Sequence, residues 1–168
     1  ESIGKIKGFY GNFSVLLKAY IYILMMGKDG LKEASEIAVL NSNYMMKKIL
    51  NSGMYDMPYK EKRKHEFVLS CEKLKQEKDI RAMDVAKSLL DHGLHPPTIY
   101  FPLIVKEAMM IEPTETESKE DLDKFVNALI KIADEDPKIV KNAQIKTPGK
   151  RVDEVGASKN PILTWNMI

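Results

Sequence analysis

Between Asn12 and Met26 the chain reads NFSVLLKAYIYILMM, apolar on every helical face and interrupted only by Ser14 and Lys18. A helix on the surface of a globular domain keeps a polar side, so one that lacks it has to be enclosed by something. The run is shorter than the roughly 20 apolar residues that a bilayer crossing needs, so burial within protein is expected and membrane insertion is not. A chain of 168 residues makes one good-sized domain, or a small domain with an appendage, and struggles to wrap such a helix on all sides. The expected cover is another domain or a second copy of the chain, which predicts self-association through residues 12–26. Glu1 in place of an initiator Met, with no signal-peptide pattern after it, reads as a processed or excised piece.

Charge and cysteine content narrow the function classes. A formal charge of +2 from 26 basic and 24 acidic side chains leaves no basic field for nucleic acid. The single cysteine, Cys71, excludes an internal disulfide and a multi-cysteine metal cage, and suits a reducing, intracellular setting as a small buried apolar residue. His65, His92 and His95 fall on a strand, a helix end and a loop, without metal-ligand spacing on a shared element, so no metal site is expected.

Gly27-Lys28-Asp29-Gly30 closes the first helix, and a second is predicted over Leu31–Leu50, where Ala34, Ile37, Ala38, Tyr44, Met45 and Ile49 recur at three and four. Asn41 falls inside that stripe, either at its edge or bonded to a backbone group across a domain contact. Asn51-Ser52-Gly53 stops the helix. A connector with Pro58 and the solvated run KEKRK (60–64) leads to a half-buried strand, His65–Ser70, with Phe67 and Leu69 on one face. A helix over Asp79–Leu90 stops at Gly93, with His92 in its last turn. Ser118 opens the clearest helix, with a stripe of Leu122, Phe125, Val126, Leu129, Ile130 and Ala133 running to Asp134-Glu135-Asp136-Pro137, and a short helix follows through Val140. Beyond Asn142 the apolar residues Val152, Val155, Ile162, Leu163 and Trp165 stand isolated, so the tail is expected to lie extended over another surface.

The segment His95–Ser118, HPPTIYFPLIVKEAMMIEPTETES, is the densest in candidate chemistry. Two β-prone runs, Thr98–Phe101 and Ala108–Ile111, flank a Pro-initiated turn. The second run delivers Glu112, Thr114, Glu115, Thr116, Glu117 and Ser118 to a strand-to-helix junction. Unsatisfied N–H groups at such a junction take carboxylate or hydroxyl caps and can also hold an anionic ligand. The order helix, helix, strand, helix, strand, strand, helix predicts an α+β layer, a small antiparallel or mixed sheet covered by helices.

Together with DVAKSLLDHGLH (84–95), that segment closely resembles the C-terminal region of subunit 2 in the glycine dehydrogenase (decarboxylating) family, the P-protein of the glycine cleavage system. GFYGNFSVLLKAY (8–20), IAVLNSNYMM (37–46) and HEFVLS (65–70) extend the resemblance over nearly the whole chain, weakest after Pro137. The resemblance implies the small C-terminal domain of a fold-type-I, pyridoxal-phosphate-dependent transferase preceded by long connecting helices. Residues 1–30 would then end the large domain, 31–145 form the small domain and 146–168 an extended tail. It further implies glycine decarboxylation on pyridoxal phosphate and transfer of the remaining aminomethyl group to the lipoyl arm of the H-protein. The implied partners are the remainder of the P-protein, subunit 1 and the H-protein, in the prokaryotic cytoplasm or, in a eukaryote, the mitochondrial matrix.

In that family the Schiff-base lysine follows a histidine ahead of a glycine-rich run. No His-Lys pair occurs here and the nine glycines never cluster, while Gly4-Lys5 lacks the preceding residues of a Walker loop. No catalytic, cofactor-binding or metal-binding residue is assigned, and this chain alone is expected to bind no pyridoxal phosphate. A small domain of this class closes over the cofactor and shapes the substrate channel, as a lid does. The residues suited to that role, polar and at strand ends or turns, are His65, Glu66, His95, Thr114 and Glu115, each with capping or rim solvation as its alternative. A substrate carboxylate calls for an arginine fork, but Arg63, Arg81 and Arg151 stand beside no family motif, so that role is left empty. Two other readings stay open: the small domain of another fold-type-I decarboxylase or aminotransferase, and a non-catalytic dimerisation module.

Overall fold

The computed structural model describes residues 1–6 and 8–167. Its first element, α1 (Phe13–Ser52), starts at Asn12, whose side chain accepts from the Val15 N–H at 3.3 Å, and ends at Gly53 in the left-handed conformation. The stop expected at Gly27-Lys28-Asp29-Gly30 falls at its first residue only. Gly27 alone leaves helical geometry, at φ 62° and ψ −174°, and nothing in Lys28-Asp29-Gly30 forbids the helix from resuming at once. Before that break the side chains from Phe13 to Met25 are exposed, Phe13 at 76% and Met25 at 81%. After it Asn41, Ser42, Met45, Met46 and Ile49 are buried.

Three short strands, β1 (Phe67–Ser70), β2 (Thr98–Ile99) and β3 (Ala108–Ile111), form a sheet in the order β1-β3-β2. Both pairings are antiparallel, with Phe67 opposite Ile111, Ser70 opposite Ala108 and Thr98 opposite Met110, so the mixed alternative falls away. β1 starts at Phe67, leaving His65 and Glu66 ahead of the strand. β2 stops short of Phe101 because Tyr100 takes a left-handed backbone, φ 58°, which turns the chain out of the sheet; Glu107, φ 47°, turns it back.

The helix expected over Asp79–Leu90 is α3 (Ala82–Asp91), and an unexpected short helix, α2 (Glu72–Lys78), precedes it. Asp79 separates them with φ 54°, and Ile80, fully buried, follows it into the core. α4 (Lys119–Asp134) begins at Ser118, whose hydroxyl accepts from the Asp121 N–H at 3.1 Å. α5 (Pro137–Lys141) has proline in its first turn, where a missing N–H costs nothing. Phe67, Leu69, Ile49, Val85, Leu89, Met109, Val126, Leu129 and Ile132 share one core between the sheet and α1, α3 and α4. Cys71 lies fully buried in it, and burial, reinforced by Glu107, pushes its thiol pKa up.

The tail departs from the extended expectation. Its first residues are pinned, because the Asp91 carboxylate accepts from the N–H groups of Gln144, Ile145 and Lys146 at 2.7, 3.0 and 2.8 Å. Burial alone would raise the Asp91 pKa, but those three bonds outweigh it and hold it low. Arg151 donates to Asp84 at 2.7 Å and to the Ala143 carbonyl at 3.0 Å. A short helix, α6 (Glu154–Lys159), follows because Asp153 caps it through the Gly156 N–H at 2.8 Å. Ile162, Leu163 and Trp165 stay exposed, Trp165 at 84%. Among the described residues no helix is long and apolar enough to cross a membrane, and no cluster of His, Cys, Asp and Glu could hold a metal ion.

Candidate functional site

β3 is the central strand, and the chain leaving its C-terminal end walls the main clefts. Glu112 and Thr114 are exposed there while Pro113 between them is buried. Asn41 fixes this stretch, since its Nδ2 donates to the Thr114 carbonyl at 2.9 Å. Of the two roles open to Asn41, the backbone bond is the one it has. At 8% exposure it is not an edge residue, and its partner belongs to the same chain rather than to another domain.

One cleft, of about 490 Å³, lies between this stretch and α1. Leu31, Ala34, Ala38 and Val39 form its apolar side, and Lys64, His65, Glu112, Thr114, Glu115 and Tyr22 supply the polar groups. His65 Nε2 lies 3.6 Å from Glu112 Oε1, an ion pair when the imidazole is protonated. The Tyr22 hydroxyl donates to Glu115 Oε1 at 3.4 Å, and the Thr114 and Thr116 hydroxyls share a hydrogen bond of 2.7 Å. The cleft therefore sets the carboxylates of Glu112 and Glu115, the Lys64 ammonium and the His65 imidazole beside an apolar wall, an arrangement with partners for either sign of charge on a small ligand.

A second cleft, of about 470 Å³, opens between β3, the 93–98 segment and the start of α4. Met45, Met110, Leu122 and Phe125 line it, with His95, Glu112, Glu117, Asp121 and Lys124 at its polar positions. A third contains Lys62, Arg63, Lys64, His65 and Glu66. Asn43 holds the backbone of that basic loop in place, accepting from the Arg63 N–H at 3.0 Å and donating to the Arg63 carbonyl at 2.7 Å.

The structure thus gathers His65, Thr114 and Glu115 into one cleft and leaves Glu66 and His95 in its neighbours. His65 is shared by the first and third, and Glu112 by the first and second. Sequence reasoning named Glu112 in the polar cluster without choosing it, although its place just after the last strand residue was a usable signal. Tyr22 gave no signal, because its arrival at Glu115 depends on the break at Gly27. Of the arginines, Arg63 lines the third cleft, and Arg151 is engaged by Asp84 and backbone carbonyls.

A family model described as the C-terminal domain of glycine dehydrogenase matches residues 34–152. The probable glycine dehydrogenase (decarboxylating) subunit 2 of Thermococcus onnurineus is 58% identical over 170 residues, covering 99% of this chain and 34% of that protein. The protein of the same description from Pyrococcus abyssi is 56% identical over the same shares, and that from Thermotoga petrophila 55% identical over 98% of this chain and 35% of its own length. The chain therefore spans about a third of the length of the curated relatives it matches. Among solved structures it is similar in fold to a crystal structure of glycine decarboxylase (P-protein) of the glycine cleavage system in inhibitor-bound form. That match has a TM-score of 0.62 at 21% identity and covers 74% of this chain and 27% of the other.

Proposed function

This chain belongs to the glycine dehydrogenase C-terminal domain family, and we propose on that premise that it serves a glycine decarboxylase subunit as the domain that walls its substrate channel. The supporting observation is the convergence of His65, Glu112, Thr114, Glu115 and Tyr22 in one cleft with an apolar back wall. Glu112 and Glu115 offer carboxylates to the amino end of a substrate, with the Lys64 ammonium on the same cleft. His65, 3.6 Å from Glu112, can hold or release a proton at Nε2. Thr114, its backbone fixed by Asn41, offers a hydroxyl at a constant position.

The described residues do not fit pyridoxal phosphate. The lysines on the clefts, Lys62, Lys64 and Lys124, are exposed, where a Schiff-base amine needs shelter to stay neutral, and Gly93 is the one glycine lining any of the three clefts. The cofactor is assigned to the rest of the subunit. In this reading the intact assembly, with subunit 1, decarboxylates glycine and passes the aminomethyl group to the lipoyl arm of the H-protein, in the cytoplasm of a prokaryote. Residues 1–30 then lie against the rest of the subunit, and the exposed apolar half of α1 favours this contact over an independent module.

The test uses the full-length subunit with subunit 1 and lipoylated H-protein, following exchange of the glycine carboxyl with labelled bicarbonate. Glu115→Gln and His65→Ala each lower kcat/KM about tenfold, equivalent to about 1.4 kcal/mol of transition-state stabilisation. Wild-type kcat/KM in both variants would remove this cleft from the substrate path.

A further inference from the structure

One wall of the main cleft comes from outside the packed core. Leu31, Ala34, Ser35, Ala38 and Val39 reach it from the half of α1 that follows Gly27, whereas Tyr22 reaches it from the half that precedes. The change of direction between the halves is made at a single residue. Gly27 combines a positive φ of 62° with an extended ψ of −174°, a region closed to residues that carry a Cβ. Space is not the reason for glycine here, because a Cβ at this position would meet nothing within 4 Å. The backbone conformation alone demands it.

The break brings the Tyr22 hydroxyl to 3.4 Å from Glu115 Oε1, longer than the 2.7–2.8 Å at which O–H···O bonds usually settle. A small rotation about Gly27 shortens or breaks it. The half-helix that carries Tyr22 is exposed on its other faces, with Leu16, Tyr20, Ile23 and Leu24 all at or above 51%. Its direction is therefore set by whatever covers those faces.

We infer that Tyr22 is the positioning residue for Glu115, delivered across a hinge at Gly27, so that the packing of the rest of the subunit on residues 13–26 sets the opening of the cleft. This step rests on the reading of the cleft given above. Tyr22 orients a carboxylate and closes one side; it takes no part in bond making.

The experiment is done in the full-length subunit with Tyr22→Phe, Gly27→Ala, Glu115→Gln and the double variant Tyr22→Phe/Glu115→Gln. Carbodiimide labelling of Glu115, read by mass spectrometry against Glu120 as internal reference, reports the contact without any substrate. It rises about threefold in Tyr22→Phe, as loss of one modest hydrogen bond implies, and at least as much in Gly27→Ala. In the exchange assay Tyr22→Phe raises KM for glycine about threefold with little change in kcat, and the double variant is no worse than Glu115→Gln alone, since the two groups act as one. Unchanged labelling in both Tyr22→Phe and Gly27→Ala overturns the inference whatever the kinetics. Raised labelling with a wild-type kcat/KM in Glu115→Gln supports the contact and overturns the functional reading of the cleft instead.

Discussion

Asn41 illustrates how one residue couples the core to the site. It sits on a helix that the periodicity of Ala34, Ile37, Ala38, Met45 and Ile49 made plain, yet the stripe could not say whether its amide found a partner. The partner, the Thr114 carbonyl, lies far away in sequence and becomes a neighbour only once α1 packs beside the end of β3. Asn41→Ala leaves that carbonyl without its donor. Thr114 is exposed and water can reach that carbonyl, so a loss of about 0.5–1.5 kcal/mol is expected, the net worth of one hydrogen bond, read as a lower urea midpoint at constant m-value. His65, Thr114 and Glu115 were legible as polar residues at chain turns. That they share one cleft depended on a long-range pairing, Phe67 with Ile111, which the local sequence does not encode.

At the scale of elements, α1 and α4 are joined through Asp123. The Tyr44 hydroxyl and the Lys48 ammonium, both from α1, donate to its Oδ1 at 2.6 Å each, and Lys119 donates to Oδ2 at 2.6 Å. The bonds from Lys119, Lys48 and Tyr44 hold the Asp123 carboxyl well below the usual carboxylate range. A depressed folded value means that the unfolded chain takes up the proton first as pH falls. The stabilisation is therefore complete above the ordinary aspartate value of about 4 and is lost as pH drops below it toward the folded value. Asp123→Asn lowers the urea midpoint at neutral pH and flattens the acid side of the stability curve; an acid limb identical to wild type would count against this joint. α4 was legible because a capping residue, Ser118, and an apolar stripe coincide, and the second half of α1 because its stripe runs to a stop at Gly53. α2 was not, because it is only seven residues long, buries Leu74 alone and has no side-chain cap at Cys71.

For the whole molecule, the exposed half of α1 decides behaviour in solution. The expectation that this chain could not enclose residues 12–26 rested on their all-round apolar character, and the side chains from Phe13 to Met25 are exposed. Sedimentation of the isolated chain over rising concentration is expected to show self-association, which Leu16→Lys with Ile23→Lys suppresses. A compact monomer at high concentration with the unaltered helix would oppose that expectation. The tail was the least legible part, since Asp91 and Arg151 tie it down through backbone groups that leave no mark in a sequence pattern.

The bridge from Ile111 to Ser118 carries polar groups of two clefts and delivers the serine that starts α4. The bridge is irregular chain, pinned where Asn41 holds the Thr114 carbonyl and again where Ser118 caps α4. A residue added between those two pins leaves α4 seated on α1 through Asp123 and is absorbed by the loop, at the expense of where Glu115 stands against Tyr22. Length changes in that bridge would therefore alter the rim of the cleft and leave the core beneath it intact.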